Sequence, residues 1–198
     1  HHFSGGMRQR AGIAMALLMD PLLLIADEPT TALDVTLEAQ IIHLIQELRA
    51  EFDATIMVVS HNLGLIAELC DHVVVMYAGE VVEYGSVSDL FYRPAHPYTQ
   101  ALMDCDPART HTKTGYLPVI PGDVPDLHSL PTGCIFASRC NQAVENCRTT
   151  APKNVQVGDS QHAVRCHLLD PEFEGIRLTA KSSAPDNSAA EIVRSGPS

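Results

Sequence analysis

Leu23-Leu24-Ile25-Ala26-Asp27-Glu28-Pro29 decides the fold. A short apolar run that ends in an acid reads as a fully buried, parallel strand. Before it, Pro21 closes off residues 7–19, where Met, Gln, Ala and Leu favour helix and Ser4 can cap the start. After it, Thr36 to Phe52 reads as an amphipathic helix with Leu37, Ile41, Leu44, Ile45 and Leu48 on one face. Ala54 to Ser60 is a second buried strand, and Leu63 to Cys70 a short helix. Val73 to Tyr77 and Glu80 to Tyr84 are strands joined by Ala78-Gly79, which reads as a hairpin. Strands alternating with helices predict an α/β fold with a parallel sheet.

The same stretch carries chemistry. A buried strand that delivers Asp27 at its C-terminal end suits Mg²⁺ coordination in a phosphate-handling enzyme. Glu28, directly after it, is placed to polarise an attacking water. The plainer alternative, an acidic cap near Pro29, does not readily explain two adjacent acids after five apolar residues. Upstream, Ser4-Gly5-Gly6 at a helix start leaves backbone N–H groups open, which suits an anion. Alone, that triplet reads equally well as an ordinary N-cap. Downstream, Thr31-Ala32-Leu33-Asp34 follows closely, and Ser60-His61 ends the next strand. A histidine there points into the crevice where open α/β sheets bind ligands.

Composition narrows the class. The chain has 198 residues, and its 45% hydrophobic share is enough to bury a core. A formal net charge of -11 argues against a nucleic-acid partner, which calls for basic patches. No stretch approaches the roughly 20 apolar residues of a membrane span, and no secretory signal is visible. After about Tyr92, Pro94, Pro97, Pro107, Pro118, Pro121, Pro125 and Pro131 break the periodicity and mark a loop-rich module. From about Asp170 the composition turns to Ser, Ala and Pro and reads as disordered. The expected division is therefore 1–91, 92–169 and 170–198.

The ordered motifs resemble the ATP-binding-cassette ATPases. Phe3-Ser4-Gly5-Gly6-Met7-Arg8-Gln9-Arg10 looks like the family's signature motif, with Phe3 and Met7 departing from its commonest spelling. Leu23 to Asp27 looks like the Walker B strand. Glu28 matches the catalytic glutamate, Ala32-Leu33-Asp34 the D-loop and His61 the switch histidine. The resemblance implies the C-terminal part of a P-loop (RecA-like) ATPase domain that works as a head-to-tail dimer on ATP and Mg²⁺. In it Asp27 holds the metal, Glu28 orients the lytic water and His61 contacts the γ-phosphate. Ser4, Gly5, Gly6 and Asp34 face the nucleotide of the partner ATPase subunit. No Gly-x-x-x-x-Gly-Lys-Ser/Thr occurs, and Lys113, Lys153 and Lys181 do not follow a glycine. With no initiator Met either, the chain is expected to be a piece whose P-loop lies ahead of residue 1, inactive by itself.

A second resemblance covers the module. Arg93-Pro94-Ala95-His96-Pro97-Tyr98-Thr99-Gln100-Ala101-Leu102, then Ile120-Pro121-Gly122, then Pro131-Thr132-Gly133-Cys134-Ile135-Phe136 look like the C-terminal extension of ATPase subunits of bacterial oligopeptide and dipeptide importers, some serving nickel or glycosides. The match runs to about Leu168. It implies an enzyme at the cytoplasmic face of the membrane, bound to transmembrane permease subunits and fed by an extracytoplasmic peptide-binding protein. Cys134, Cys140, Cys147 and Cys166 are separated by five, six and eighteen intervening residues. Four thiolates suit an iron–sulfur cluster or Zn²⁺, and relatives resembling this pattern carry a [4Fe–4S] cluster. Zinc remains open, with His162 and His167 as substitute ligands, as do four ordinary cysteines. Cys70 and Cys105 read as structural. Two further readings are an interaction module on an inactive ATPase and a soluble, DNA-linked cassette ATPase. The intact Asp27, Glu28 and His61 argue against the first; the acidic charge and the extension argue against the second.

Overall fold

The computed structural model describes residues 4–31, 33–51, 54–106, 118–158 and 161–172. The signature's Phe3, the D-loop's Ala32 and nearly all of the expected disordered tail lie outside the described residues.

The element order follows the sequence pattern. Helix α1 spans Gly5–Leu17, and Ser4 caps it by accepting from the Met7 N–H. Strand β1 (Leu23–Asp27) and strand β2 (Thr55–Val59) pair in parallel, with Asp27 opposite Val59. Between them runs α2 (Val35–Glu51), and after them α3 (Leu63–Leu69). The apolar runs predict burial on both faces of these strands, and the structure covers only one. Ile56 and Val58 pack against Ile41, Ile42 and Ile45 of α2 and Leu65, Ile66 and Leu69 of α3. On the opposite face Leu23, Ile25, Met57 and Val59 are 50%, 58%, 51% and 42% exposed. No described element lies over that face.

The hairpin forms as its turn residues dictate. Strands β3 (His72–Tyr77) and β4 (Glu80–Ser86) are antiparallel. Ala78 and Gly79 both take positive φ, 48° and 84°, as a two-residue turn of the mirror-image type requires. Helices α4 (Val87–Tyr92) and α5 (Pro97–Asp104) follow, each with a side-chain N-cap, Ser86 and His96. The string Arg93 to Tyr98 is thus more than a linker: His96 caps α5, and Pro97 occupies its first position, where a missing N–H costs nothing.

The loop-rich module does not stand apart. After α6 (Glu145–Thr149), strands β5 (Asn154–Gln156) and β6 (Ala163–Arg165) extend the hairpin into one antiparallel sheet of order β3-β4-β6-β5. Glu83 and Tyr84 of β4 stand opposite Val164 and Ala163 of β6. Val75, Tyr77, Val82 and Leu90 share one core with Cys134, Ile135, Phe136, Ala137 and Cys147. Phe136 meets Tyr77 edge-on at 5.1 Å and Tyr98 at 5.3 Å. Residues from both sides of the expected boundary at 91/92 therefore bury each other. Among the described residues, no helix is long and apolar enough to cross a membrane.

Candidate functional site

Parallel pairing sets the site. Because β1 and β2 run side by side in the same direction, their C-terminal ends open on the same edge. Asp27 ends β1, exposed, and Glu28 follows it. His61 lies just past the end of β2. Its Nδ1 stands 2.8 Å from Glu28 Oε1. The second carboxylate oxygen accepts from the Thr31 hydroxyl at 2.8 Å. These two bonds, His61 first and Thr31 second, hold the Glu28 carboxyl below its ordinary range. An ionised carboxylate only accepts, so His61 Nδ1 is the donor.

The Glu28 backbone is also unusual. Its φ is +46°, a left-handed value that a β-carbon makes unfavourable. The bend is held by the Glu28 N–H, which donates to the Val59 carbonyl at 2.8 Å. From the other side the Thr31 N–H donates to the Glu28 carbonyl at 3.2 Å. The strain turns the acid off the strand line and toward His61.

Leu33 and Leu37, on either side of Asp34, approach the glycines of the Ser4 triplet, away from Glu28 and His61. Asp34 Oδ1 accepts from the Leu37 N–H at 3.0 Å and so caps α2. Leu33 and Leu37 reach the start of α1. A β-carbon at Gly5 would lie 3.4 Å from Leu33, and one at Gly6 3.0 Å from Leu37. Gly6 is buried. The glycines predict an unobstructed approach; at Gly6 the absent side chain instead admits Leu37.

The cysteines converge. Cys134, Cys147 and Cys166 are buried and Cys140 half-buried. The Cys134 N–H donates to the Cys147 carbonyl at 2.7 Å. Burial pushes the Cys166 thiol up to about 12, and Cys134, Cys140 and Cys147 add to the shift, so all four lie within electrostatic reach. Among the described residues, no group of three or more His, Cys, Asp or Glu side chains is arranged to hold a metal ion. The two substitute ligands are engaged elsewhere: His162 Nε2 with Glu83, and His167 Nε2 with the Thr150 carbonyl. Cys70 and Cys105 are the C-caps of α3 and α5, in keeping with a structural role.

Two residues of this region escape the motif reading, Glu38 and Asn62. Asn62 was findable, since an Asn just ahead of an apolar helix is an N-cap signal. The partner of Glu38 comes from tertiary placement, which no local pattern encodes.

The acid pair and the histidine lie together at parallel strand ends, and comparisons with known proteins give the family. Residues 1–31 match the family model described as ABC transporter. Residues 82–147 match that of the oligopeptide/dipeptide transporter, C-terminal region. The chain belongs to the ATP-binding-cassette transporter family, in its oligopeptide/dipeptide group. It is 53% identical to the probable peptide ABC transporter ATP-binding protein y4tR of Sinorhizobium fredii, over 84% of this chain and 49% of that one. It is 55% identical to the oligopeptide transport ATP-binding protein OppD of Haemophilus influenzae, over 77% and 47%. It is 47% identical to the dipeptide transport ATP-binding protein DppD of Bacillus subtilis, over 90% and 53%. The chain thus spans about half the length of the curated relatives it matches.

Proposed function

We propose that this chain is the catalytic-loop half of an ATPase that energises peptide import through separate membrane permease subunits. The observation that carries the reading is the Glu28–His61 contact at 2.8 Å, beside Asp27 at the end of β1. Asp27 is the residue to hold Mg²⁺, and its exposed carboxylate at a strand end fits a hard cation with oxygen ligands. The metal supplies charge neutralisation at the phosphates. Glu28, ionised and held by two hydrogen bonds, orients the attacking water, and His61 keeps that carboxylate in place. Ser4, Gly5, Gly6 and Asp34 face the nucleotide of a second ATPase subunit. Peptide as cargo is supported by the names of the relatives and by the matched C-terminal region. The same reading places the protein at the cytoplasmic face of the membrane, on its permease subunits, served by an extracytoplasmic binding protein.

Fusing the P-loop half of the 55%-identical relative ahead of residue 1 tests the assignment. The fusion should hydrolyse ATP with Mg²⁺, the chain alone should not, and Glu28→Gln should reduce turnover at least about 100-fold, the scale of losing one preorganised catalytic group. An active Glu28→Gln fusion would overturn it.

The four cysteines add a second element, a [4Fe–4S] cluster on Cys134, Cys140, Cys147 and Cys166. Their convergence and burial support it. Iron and acid-labile sulfide in anaerobically prepared protein are the expected finding; zinc alone would refute it.

A further inference from the structure

The loop after β2, which carries His61, is joined to the first turn of α2 by a hydrogen bond outside the site. Asn62 Nδ2 donates to Glu38 Oε1 at 2.8 Å. The same side chain accepts from the Leu65 N–H at 3.2 Å, capping α3, while the Asn62 N–H donates to Ser60 Oγ at 3.1 Å. Asn62 is thus fixed at several points, and its peptide neighbour is His61. On the other side, the Glu38 N–H donates to the Asp34 carbonyl at 2.8 Å. The circuit closes through Glu28, which meets His61 with one oxygen and Thr31, in the loop leading to Asp34, with the other.

Packing does not hold the His61 ring, because its side chain is 83% exposed. An exposed pair such as His61 and Glu28 gains little from charge alone and loses side-chain freedom on forming. The backbone beneath the ring must therefore set its geometry. That backbone runs directly into Asn62, which the half-buried Glu38 bond ties to α2. Gln46 and Arg49 of α2 also reach α3, but at its far end, at Glu68 and the Leu69 carbonyl; the Glu38 bond is the one at the end that follows His61.

We propose that Glu38 is a positioning residue which, acting through Asn62, holds His61 in register with Glu28 and couples that register to Asp34 at the start of α2. The inference rests on the reading of Glu28 and His61 as the hydrolytic pair. Its consequence is that a movement of Asp34, at the face assigned to a partner subunit, reaches His61 without passing through Glu28.

The test is the His61 ring tautomer in the full ¹⁵N-labelled chain, read by two-bond ¹H–¹⁵N correlation at a pH where the ring is neutral. Wild type should show Nδ1 protonated, because Nδ1 donates to Glu28. Glu38→Ala should shift the ring toward the Nε2-protonated form, with at least a threefold fall in the Nδ1–H to Nε2–H ratio. Asn62→Ser keeps a helix cap but loses the amide donor, and should do the same. Glu38→Gln keeps the accepting oxygen and should retain the wild-type ratio. If Glu38→Ala does not fold, Asn62→Ser and Glu38→Gln decide the matter. A wild-type ratio in a folded Asn62→Ser chain would overturn the proposal. No nucleotide enters this measurement. A P-loop fusion without turnover would sink the ATPase reading and leave the tautomer result standing, and the reverse also holds.

Discussion

Glu83 of β4 and His162, just ahead of β6, meet at 2.7 Å although 79 residues separate them. Both are buried, at 1% and 2% exposure. The same carboxylate accepts from the Ala95 N–H at 2.7 Å and from the His96 N–H at 3.0 Å. One side chain thus ties the hairpin, the start of α5 and the strand that joins the two halves. Glu83→Ala strands two backbone donors and His162 at once. Leaving a buried hydrogen-bonding group without its partner costs about 1–3 kcal/mol, and three groups lose theirs here. Urea unfolding should show that loss, with a smaller one for Glu83→Gln, which still accepts. A Glu83→Ala loss below about 1 kcal/mol would mean the pair is not what joins the halves.

His96 gives the fold an acid-sensitive point. Burial drives its pKa down from 6.5 to about 4, against the Glu83 charge and the Arg165 backbone, which both favour the proton. Its Nδ1 accepts from the Tyr98 N–H at 3.0 Å, so the native ring is neutral. The unfolded state therefore binds a proton that the native state refuses between pH 6.5 and about 4. Stability from this group is complete above pH 6.5 and is lost as pH falls toward 4, by roughly 3 kcal/mol at most. His96→Asn keeps an N-cap and removes the titration. It should flatten the fall in unfolding midpoint over that window; an unchanged acid slope would assign the fall to other groups.

The contrast between β1 and β4 shows what was legible in the sequence. The run Leu23 to Asp27 named its own strand, its direction and its terminal acid, because each follows from local composition. The sequence could not say which face of that strand is covered, since that depends on α2 and α3 packing from elsewhere. Glu28 and His61 were legible as single residues with a suitable type at a strand end. Their contact depends on the register that sets Asp27 opposite Val59. The module after Tyr92 was legible as proline-rich and cysteine-bearing, but not as a strand donor. Ala163–Arg165 is too short to show alternation, and it forms a strand only because β4 and β5 offer partners on both sides.

Gly6 and Gly133 look alike in the sequence and should respond differently to alanine. A β-carbon at Gly6 would lie 3.0 Å from the tip of Leu37, a flexible side chain that can turn aside. Alanine also favours helix over glycine by about 1 kcal/mol. Gly6→Ala should therefore change the stability of the chain by less than about 1 kcal/mol. A larger loss, seen by thermal or urea unfolding, would show that Leu37 cannot yield.

At Gly133 the obstacle is backbone. An added β-carbon would sit 2.2 Å from the Cys147 carbonyl oxygen and 2.7 Å from the Arg148 carbonyl carbon. The Cys147 carbonyl is the one that accepts from the Cys134 N–H at 2.7 Å, so relief of the clash must open the bond and part Cys134 from Cys147. Overpacking a close-packed site costs about 1–3 kcal/mol, and more where the neighbour is main chain. Gly133→Ala should lie at or beyond the upper end of that range. The two thiols share a core with Phe136 and Tyr77, so the damage should also reach the hairpin. If the thiols hold iron, the variant should lose most of its iron and sulfide while the parallel strands β1 and β2, which lie on a different core, keep their amide protection. Full iron retention in Gly133→Ala would show that the closeness of Cys134 and Cys147 is not what the cluster needs.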